Sequence, residues 1–132
     1  MLLSSRVDLQ GYIKDARWRA ETAGVTVPIC GGDILVSTAR GDDRDALHVT
    51  FSAIAAGLRA DGACFNFADG VPRPVSNAEM SVAILAALGH VQACFDREGA
   101  VEAARIAGLV TTRQEVDEAF ADVGAPWTPP GP

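Results

Sequence analysis

The sequence predicts an α+β fold, in which helices pack with small antiparallel β-hairpins. Apolar residues recur at helical spacing in four stretches, β-prone residues occur in two pairs of short stretches, and glycine-containing turns separate the members of each pair. The predicted order is helix, hairpin, helix, hairpin, long helix, short helix. A chain of 132 residues suits one domain, so we predict a single domain over 1–123 and an extended proline-rich tail over 124–132.

The first helix is predicted over residues 9–23, with Asp8 as its N-cap and Gly24 as its left-handed stop. Its inner face is short and consists of Leu9, Ile13, Ala16 and Ala20. A hairpin over residues 25–36 follows and turns at a Cys-Gly-Gly-Asp sequence. Because Pro28 has no amide hydrogen, we expect its strand to lie at a sheet edge or at a bulge.

The second helix is predicted to start at a cap on Ser37 or Thr38 and to run through about Ala60. Its apolar face consists of Leu47, Phe51, Ile54, Ala55 and Leu58. Since this pattern is strongly amphipathic, we expect the face to pack against the core. The second hairpin follows over residues 63–75, with Asp69-Gly70 as a type I′ turn and prolines that limit the return strand to a short edge.

The stretch from Pro74 to Leu109 has the longest helical periodicity and predicts a central helix. Ser76 and Glu79 form a capping box at its start. Its apolar stripe is Met80, Ile84, Ala87, Leu88, Val91, Cys94 and Phe95. We expect a bend or break at Glu98-Gly99, after which a second stripe begins, consisting of Ala103, Ile106 and Ala107.

A last helix is predicted over residues 113–122, with a capping box formed by Thr112 and Glu115. Its inner face consists of Val116, Ala119, Phe120 and Val123. The tail that follows is rich in proline and therefore extended. Within it, Trp127, Pro126 and Pro129 are the candidate contacts with another chain, because an aromatic residue on an extended segment commonly docks on a neighbouring surface. The alternative is that Trp127 packs back on its own domain.

Composition and charge exclude several classes of partner. Seventeen acidic and eleven basic residues give a net charge of −6, which repels phosphate backbones, so we expect no nucleic-acid partner. The N-terminal sequence lacks the apolar region of a secretory signal, and no stretch reaches about eighteen uncharged apolar residues, so we expect no membrane span and synthesis in the cytoplasm. Three cysteines at irregular spacing indicate free thiols in a reducing compartment.

Metal binding and cysteine catalysis are weakly indicated. His90 and Cys94 have the i, i+4 spacing at which two side chains share a metal, and Cys30 and Cys64 lie in or beside turns. A paired C-x-x-C motif is absent, and Cys64 and Cys94 sit among apolar residues, where a thiol acts as a small hydrophobe. No sequence context marks a thiol activated by His90 or His48. We therefore expect inert thiols, no metal and no cofactor.

Two acidic clusters could indicate acid–base catalysis. They are Asp42, Asp43 and Asp45 with Arg40 and Arg44, and Glu115, Asp117 and Glu118. Both lie in the first turn of a predicted helix, where negative charge complements the helix dipole. The Gly31-Gly32 pair lacks the further glycines and the lysine of a phosphate loop. We therefore expect a protein that is not an enzyme.

Three stretches resemble an uncharacterised domain of phage and prophage tail proteins, often found at the C-terminal end of tail-fibre or tail-fibre-assembly chains. They are IKDARWRAETAGVTV at 13–27, DILVSTARGDDRDAL at 33–47 and VSNAEMSVAILAALGHVQACFDRE at 75–98. The nearest matches are the Asn-Ala pair at 77–78 and the His-Val-Gln-Ala run from His90. The family commonly has Thr-Asp-Arg where the second helix begins, and this chain has Thr-Ala-Arg at 38–40.

The resemblance implies a structural or adaptor component of a phage-like tail, in the fibre or baseplate region, that binds other tail proteins. It also implies a location in a virion or phage-like particle after synthesis in the host cytoplasm, and it leaves a homo-oligomer open. An assembly chaperone for a tail fibre is the first alternative. A small cell-wall hydrolase that uses the acidic clusters is an alternative from another class. The resemblance implies no catalytic residues.

Overall fold

Residues 8–131 are the part of the chain that the computed structural model describes. Within this range the chain forms four helices and two antiparallel hairpins in the predicted order, which confirms the α+β fold. The first seven residues, which belong to the segment considered as a signal sequence, lie outside the described range. Pro132, the last residue of the predicted tail, also lies outside it.

The elements are named here in chain order. They are α1 (Leu9–Thr22), β1 (Val25–Ile29), β2 (Gly32–Val36), α2 (Asp42–Ala55), β3 (Cys64–Asn66), β4 (Pro72–Pro74), α3 (Asn77–Ile106) and α4 (Arg113–Ala119). The chain divides into two compact units. We call Thr22–Gly89 the central unit, and Met1–Glu21 together with His90–Pro132 the terminal unit.

The first hairpin turns at Cys30 and Gly31, and both residues have positive φ (55° and 76°), as a two-residue type I′ turn requires. The turn is therefore two residues long and not four, because Gly32 already pairs with Ile29. Starting from the hydrogen-bonded pair Ile29–Gly32, bonded and non-bonded pairs alternate along the two strands. Pro28 and Asp33 form a non-bonded pair, so the Pro28 nitrogen points away from β2. The predicted edge position of Pro28 is confirmed.

The second hairpin follows the same rule for its prolines. Cross-strand hydrogen bonds join Val75 to Ala63 (3.1 Å) and Phe67 to Val71 (3.4 Å), so Pro72 and Pro74 fall at the non-bonded positions between them. The predicted type I′ turn is wrong, because Asp69 does not have positive φ. Gly70 has positive φ, and its N–H donates to the Phe67 carbonyl (2.9 Å). The loop is therefore three residues long and its last residue has a left-handed conformation.

Helix α2 is shorter than predicted at both ends. Neither predicted cap acts as one, because Ser37 Oγ donates to Asp43 Oδ2 (2.5 Å) and Thr38 Oγ1 accepts from the N–H of Gly24 (2.9 Å). Gly41 occupies the N-cap position instead, with no side-chain bond. The helix ends at Ala55 in a Schellman motif, in which Leu58 N–H donates to the Ala53 carbonyl (2.8 Å).

The core of the central unit is built by both hairpins, by Leu47 of α2 and by the first turns of α3. Its buried members are Val27, Ile29, Val36, Leu47, Phe67, Val75, Met80, Ala83, Ile84 and Ala87. Ser76 caps α3, since its Oγ accepts from the N–H of Glu79 (3.1 Å), which confirms this half of the predicted capping box. Helix α3 is long and apolar enough to cross a membrane when only its length and composition are considered. In this structure Met80 and Ile84 of the same helix lie in the core of the central unit.

The terminal unit has its own core, formed by α1, the later turns of α3 and α4. Its buried members are Leu9, Ile13, Ala16, Val101, Ala104, Val110, Val116 and Ala119. Helix α3 continues through Gly99 without a break, and the predicted second stripe is wrong, because Ala103, Ile106 and Ala107 are exposed. The capping box of Thr112 and Glu115 is confirmed.

Candidate functional site

The outer side of α2 carries exposed apolar residues of the central unit. Of the predicted apolar face, Leu47 is buried in the core and Ile54 packs against it. The prediction that this face packs against the core is wrong for Phe51, Ala55 and Leu58, which are exposed. Val49 is 68% exposed and Leu58, just after the helix, is 81% exposed. A shallow groove of about 450 Å³ runs along this side and is lined by His48, Val49, Ser52, Ala53, Ala56 and Leu58. We call these six residues the α2 face.

The acidic cluster borders the α2 face at the start of the helix. Asp42, Asp43 and Asp45 are all exposed in the first turn, where they complement the helix dipole. The Arg44 guanidinium donates twice to the Thr38 carbonyl (3.2 and 2.9 Å). The cluster therefore gives one end of the α2 face a negative charge.

The tail residues predicted to contact another chain lie on the terminal unit. Trp127 is half-buried and packs against the core cluster of that unit. This is the alternative in which Trp127 packs on its own domain. Pro129 is also half-buried, whereas Pro126 is exposed. A contact between these three residues and a second chain stays a prediction.

Arg97 of α3 holds the tail in place and is a residue that the sequence reading missed. Its side chain is buried, and its guanidinium donates to the carbonyl of Ala119, at the end of α4, and to the carbonyl of Ala125 (2.5 Å). It also lies over the Trp127 ring, 5.8 Å from the ring centre. A buried cation at the C-terminal end of a helix is favoured by the helix dipole.

The proposed His90–Cys94 pair is brought together but lacks the geometry of an activated thiol. His90 Nε2 lies 2.8 Å from the Ala20 carbonyl, and a carbonyl only accepts, so this nitrogen carries the hydrogen. Cys94 Sγ lies 3.7 Å from the same nitrogen, which is therefore not a base for the thiol. Within residues 8–131 no three metal-ligating side chains cluster.

The three thiols differ in accessibility, and this difference is open to a simple test. Cys94 is buried, as the sequence predicts, whereas Cys64 is exposed and not a small hydrophobe in a core. Cys30 is exposed as well. We expect a colorimetric thiol reagent to modify Cys30 and Cys64 in the native protein and Cys94 only after unfolding. The variant Cys94→Ala identifies the slow site; if it retains a slowly reacting thiol, the assignment is incorrect.

The second acidic cluster serves the fold of the terminal unit. Glu115 accepts hydrogen bonds from the N–H groups of Thr111 and Thr112, and these donors lower the pKa of its carboxyl. Asp117 accepts from the Tyr12 hydroxyl (2.7 Å). Glu118 is exposed.

An exposed ion pair in the second hairpin lowers the pKa of the Asp69 carboxyl. Arg73 donates to both carboxylate oxygens of Asp69 (2.7 and 3.1 Å), and Val71 N–H adds a third bond, which together lower the Asp69 pKa from 3.8 to about 2. Because the folded-state pKa is depressed, the stability gained from this pair is present above pH 3.8 and is lost as the pH falls toward 2.

We expect an NMR titration of the Asp69 carboxyl to have its midpoint near 2 in the wild type. Arg73→Gln should move this midpoint up toward 3.8, because the charged donor is the main cause of the shift. Glu115, whose donors are unaffected by this change, serves as the internal control. An unchanged Asp69 midpoint in Arg73→Gln would show that Arg73 does not cause the shift.

A second groove, of about 310 Å³, lies in the terminal unit. It is lined by Gln10, Ile13, Lys14, Phe95, Glu98, Gly99 and Glu102. Two of its three charged side chains are paired with neighbouring residues, since Glu102 pairs with Arg105 (2.5 Å) and Glu98 with Arg17 (3.1 Å). The groove therefore offers a ligand few unsatisfied charges.

Comparison with known proteins identifies the chain at the level of a family. No curated protein and no solved structure matches it significantly. The sequence pattern of one family, described as a domain of unknown function (DUF4376), matches residues 5–123. This match includes all four helices and both hairpins of the fold. The chain therefore belongs to the DUF4376 family of uncharacterised domains.

Proposed function

We propose that this chain is a structural or adaptor component of a phage-like tail that acts through contacts with other proteins and not as an enzyme. The observation that carries the contact role is the α2 face, where large apolar side chains such as Val49 and Leu58 stay exposed. Contiguous exposed apolar surface commonly marks a protein–protein contact site. The tail assignment is supported by the resemblance of residues 13–27, 33–47 and 75–98 to a domain of tail proteins.

Mass spectrometry of purified phage-like particles tests this function. We expect the chain in the particles at a fixed ratio to other tail proteins, and we expect it to co-purify with at least one of them from producing cells. A chain carrying Val49→Asp and Leu58→Asp should be lost from the particles while remaining folded, because both side chains are exposed. Its far-ultraviolet circular dichroism and urea midpoint provide the control for folding.

Two other outcomes would replace this proposal. A chain that binds a fibre protein during assembly and is absent from the finished particle is an assembly chaperone. Release of soluble fragments from purified cell walls, lost when Asp42 and Asp45 are changed to asparagine, would indicate the hydrolase instead.

A further inference from the structure

We infer that the α2 face binds an amphipathic helix from another protein, aligned antiparallel to α2 and carrying basic residues in its last turn. This inference rests on the proposed role of the chain in protein–protein contacts and names the kind of partner. It follows from three properties of the α2 face: the sizes of its side chains, the state of its backbone and the charge at one end.

The side chains of the α2 face fit a helix. Ser52 and Ala53 lie four and three residues before Ala56, so these small residues share one side of the helix. Larger residues, Val49 and Leu58, stand at the two ends of the small-residue stretch. A ridge of side chains on a second helix can enter such a groove and approach the α2 backbone closely.

The backbone of α2 argues against an extended partner. From Asp45 onward its N–H groups donate to carbonyls one turn earlier, and the last turn is closed by the Schellman motif at Leu58. An extended segment gains affinity by pairing its main chain with a free edge, which α2 does not provide. A helix satisfies its own backbone and binds through side chains alone.

Charge sets the orientation of the partner and argues against a second copy. Asp42 and Asp45 are exposed at the start of α2, so an antiparallel partner places its last turn beside them, where basic residues also suit its own dipole. In a second copy the matching basic residue would be Arg59. Its guanidinium is already bonded to the carbonyls of Val75 and Ala63 and to Asn77.

A designed peptide tests the inference directly. The probe is a fluorescein-labelled helical peptide with one leucine stripe and three arginines in its last turn, and its affinity is measured by fluorescence anisotropy. A second peptide replaces the three arginines with glutamates. We expect the arginine peptide to bind more tightly than the glutamate peptide by about tenfold at low salt, and the difference to shrink as salt rises.

Variants of the chain locate the site of binding. Leu58→Asp should weaken binding of the arginine peptide by about tenfold or more, because an aspartate removes the apolar contact at one end of the groove. The matched control is Ile106→Asp, since Ile106 is 73% exposed and belongs to the terminal unit. This control should bind like the wild type, and both variants should keep the wild-type urea midpoint.

The outcomes separate this inference from the proposed function. Equal binding by Leu58→Asp and wild type, or equal affinity for the two peptides, would overturn the inference. Sedimentation that shows a wild-type dimer dissolved by Leu58→Asp would assign the α2 face to a second copy and overturn it as well. If particles contain the Leu58→Asp chain at the wild-type ratio, the chain is a tail component but the α2 face is not the surface that binds the other tail proteins.

Discussion

Replacing Arg97 with alanine is expected to lower the free energy of unfolding by about 3 kcal/mol, a large part of the stability of a typical domain. The guanidinium donates to two carbonyls, those of Ala119 and Ala125, and hydrogen bonds from a charged group are the strong ones. Alanine leaves both carbonyls without this donor and opens a gap beside Trp127. Urea unfolding followed by circular dichroism measures the loss.

Two further arginine variants show whether the geometry of Arg97 matters. Arg97→Lys keeps the charge but lacks the planar fork that places one nitrogen on each carbonyl, so we expect roughly half of the loss. Arg105→Ala removes an arginine that pairs with Glu102 near the surface, and its effect should stay within about 0.5 kcal/mol. Equal unfolding midpoints for Arg97→Ala and Arg105→Ala would show that the Arg97 contacts contribute no stability.

The same contacts change the expectation for the tail. The sequence predicts that removal of residues 124–132 leaves the free energy of unfolding nearly unchanged, because it predicts an extended tail that contacts another chain. The structure packs Trp127 on the core cluster of the terminal unit and bonds Ala125 to Arg97. Deletion of the tail and Arg97→Ala therefore remove the same contacts between Arg97 and the tail. The free energy of unfolding lost in the combined variant should be smaller than the sum of the two separate losses.

Replacing Ile84 with alanine is expected to lower the free energy of unfolding by about 2 to 5 kcal/mol. Ile84 is completely buried in the core of the central unit, so truncation loses the transfer free energy of the side chain and leaves a cavity. Urea unfolding measures this change. The next residue in the chain provides a matched control, because Leu85 is 59% exposed on the same helix.

Leu85→Ala should change stability by less than about 0.5 kcal/mol, since its side chain already meets solvent. Phe95→Ala is expected to lower the free energy of unfolding by less than Ile84→Ala and by more than Leu85→Ala. The sequence places Phe95 in the same buried stripe as Leu88, but its side chain is 39% exposed. A larger loss for Leu85→Ala than for Ile84→Ala would contradict the assignment of the core face of α3.

The elements whose local signals agree with their packing could be predicted from the sequence. Ser76 and Thr112 act as caps because a capping bond needs only residues three positions apart. The order of helices and hairpins follows from periodicity and turn residues in the same way. The Asp69-Gly70 pair predicts the wrong turn type, because an Asp-Gly pair suits both two- and three-residue loops.

The candidate site could be predicted only in part. Helical spacing groups Phe51 and Leu58 with Leu47, but Leu47 is buried and only Leu58 of the three lines the α2 face. Spacing states which residues share a side of a helix and not whether another element covers that side. The role of Arg97 could not be predicted from the sequence either. A single arginine within a long helix usually faces solvent, and its bonds to carbonyls more than twenty residues away leave no local pattern.

The placement of the prolines has a consequence for the solubility of the molecule. A two-stranded ribbon has an open edge on each strand, and an edge that offers amides and carbonyls can template the growth of aggregates. Pro72 and Pro74 occupy the outward-facing positions of β4, and Pro28 occupies one on β1. An approaching strand meets carbonyls there without amide donors, so these edges resist the stacking of chains into fibrils.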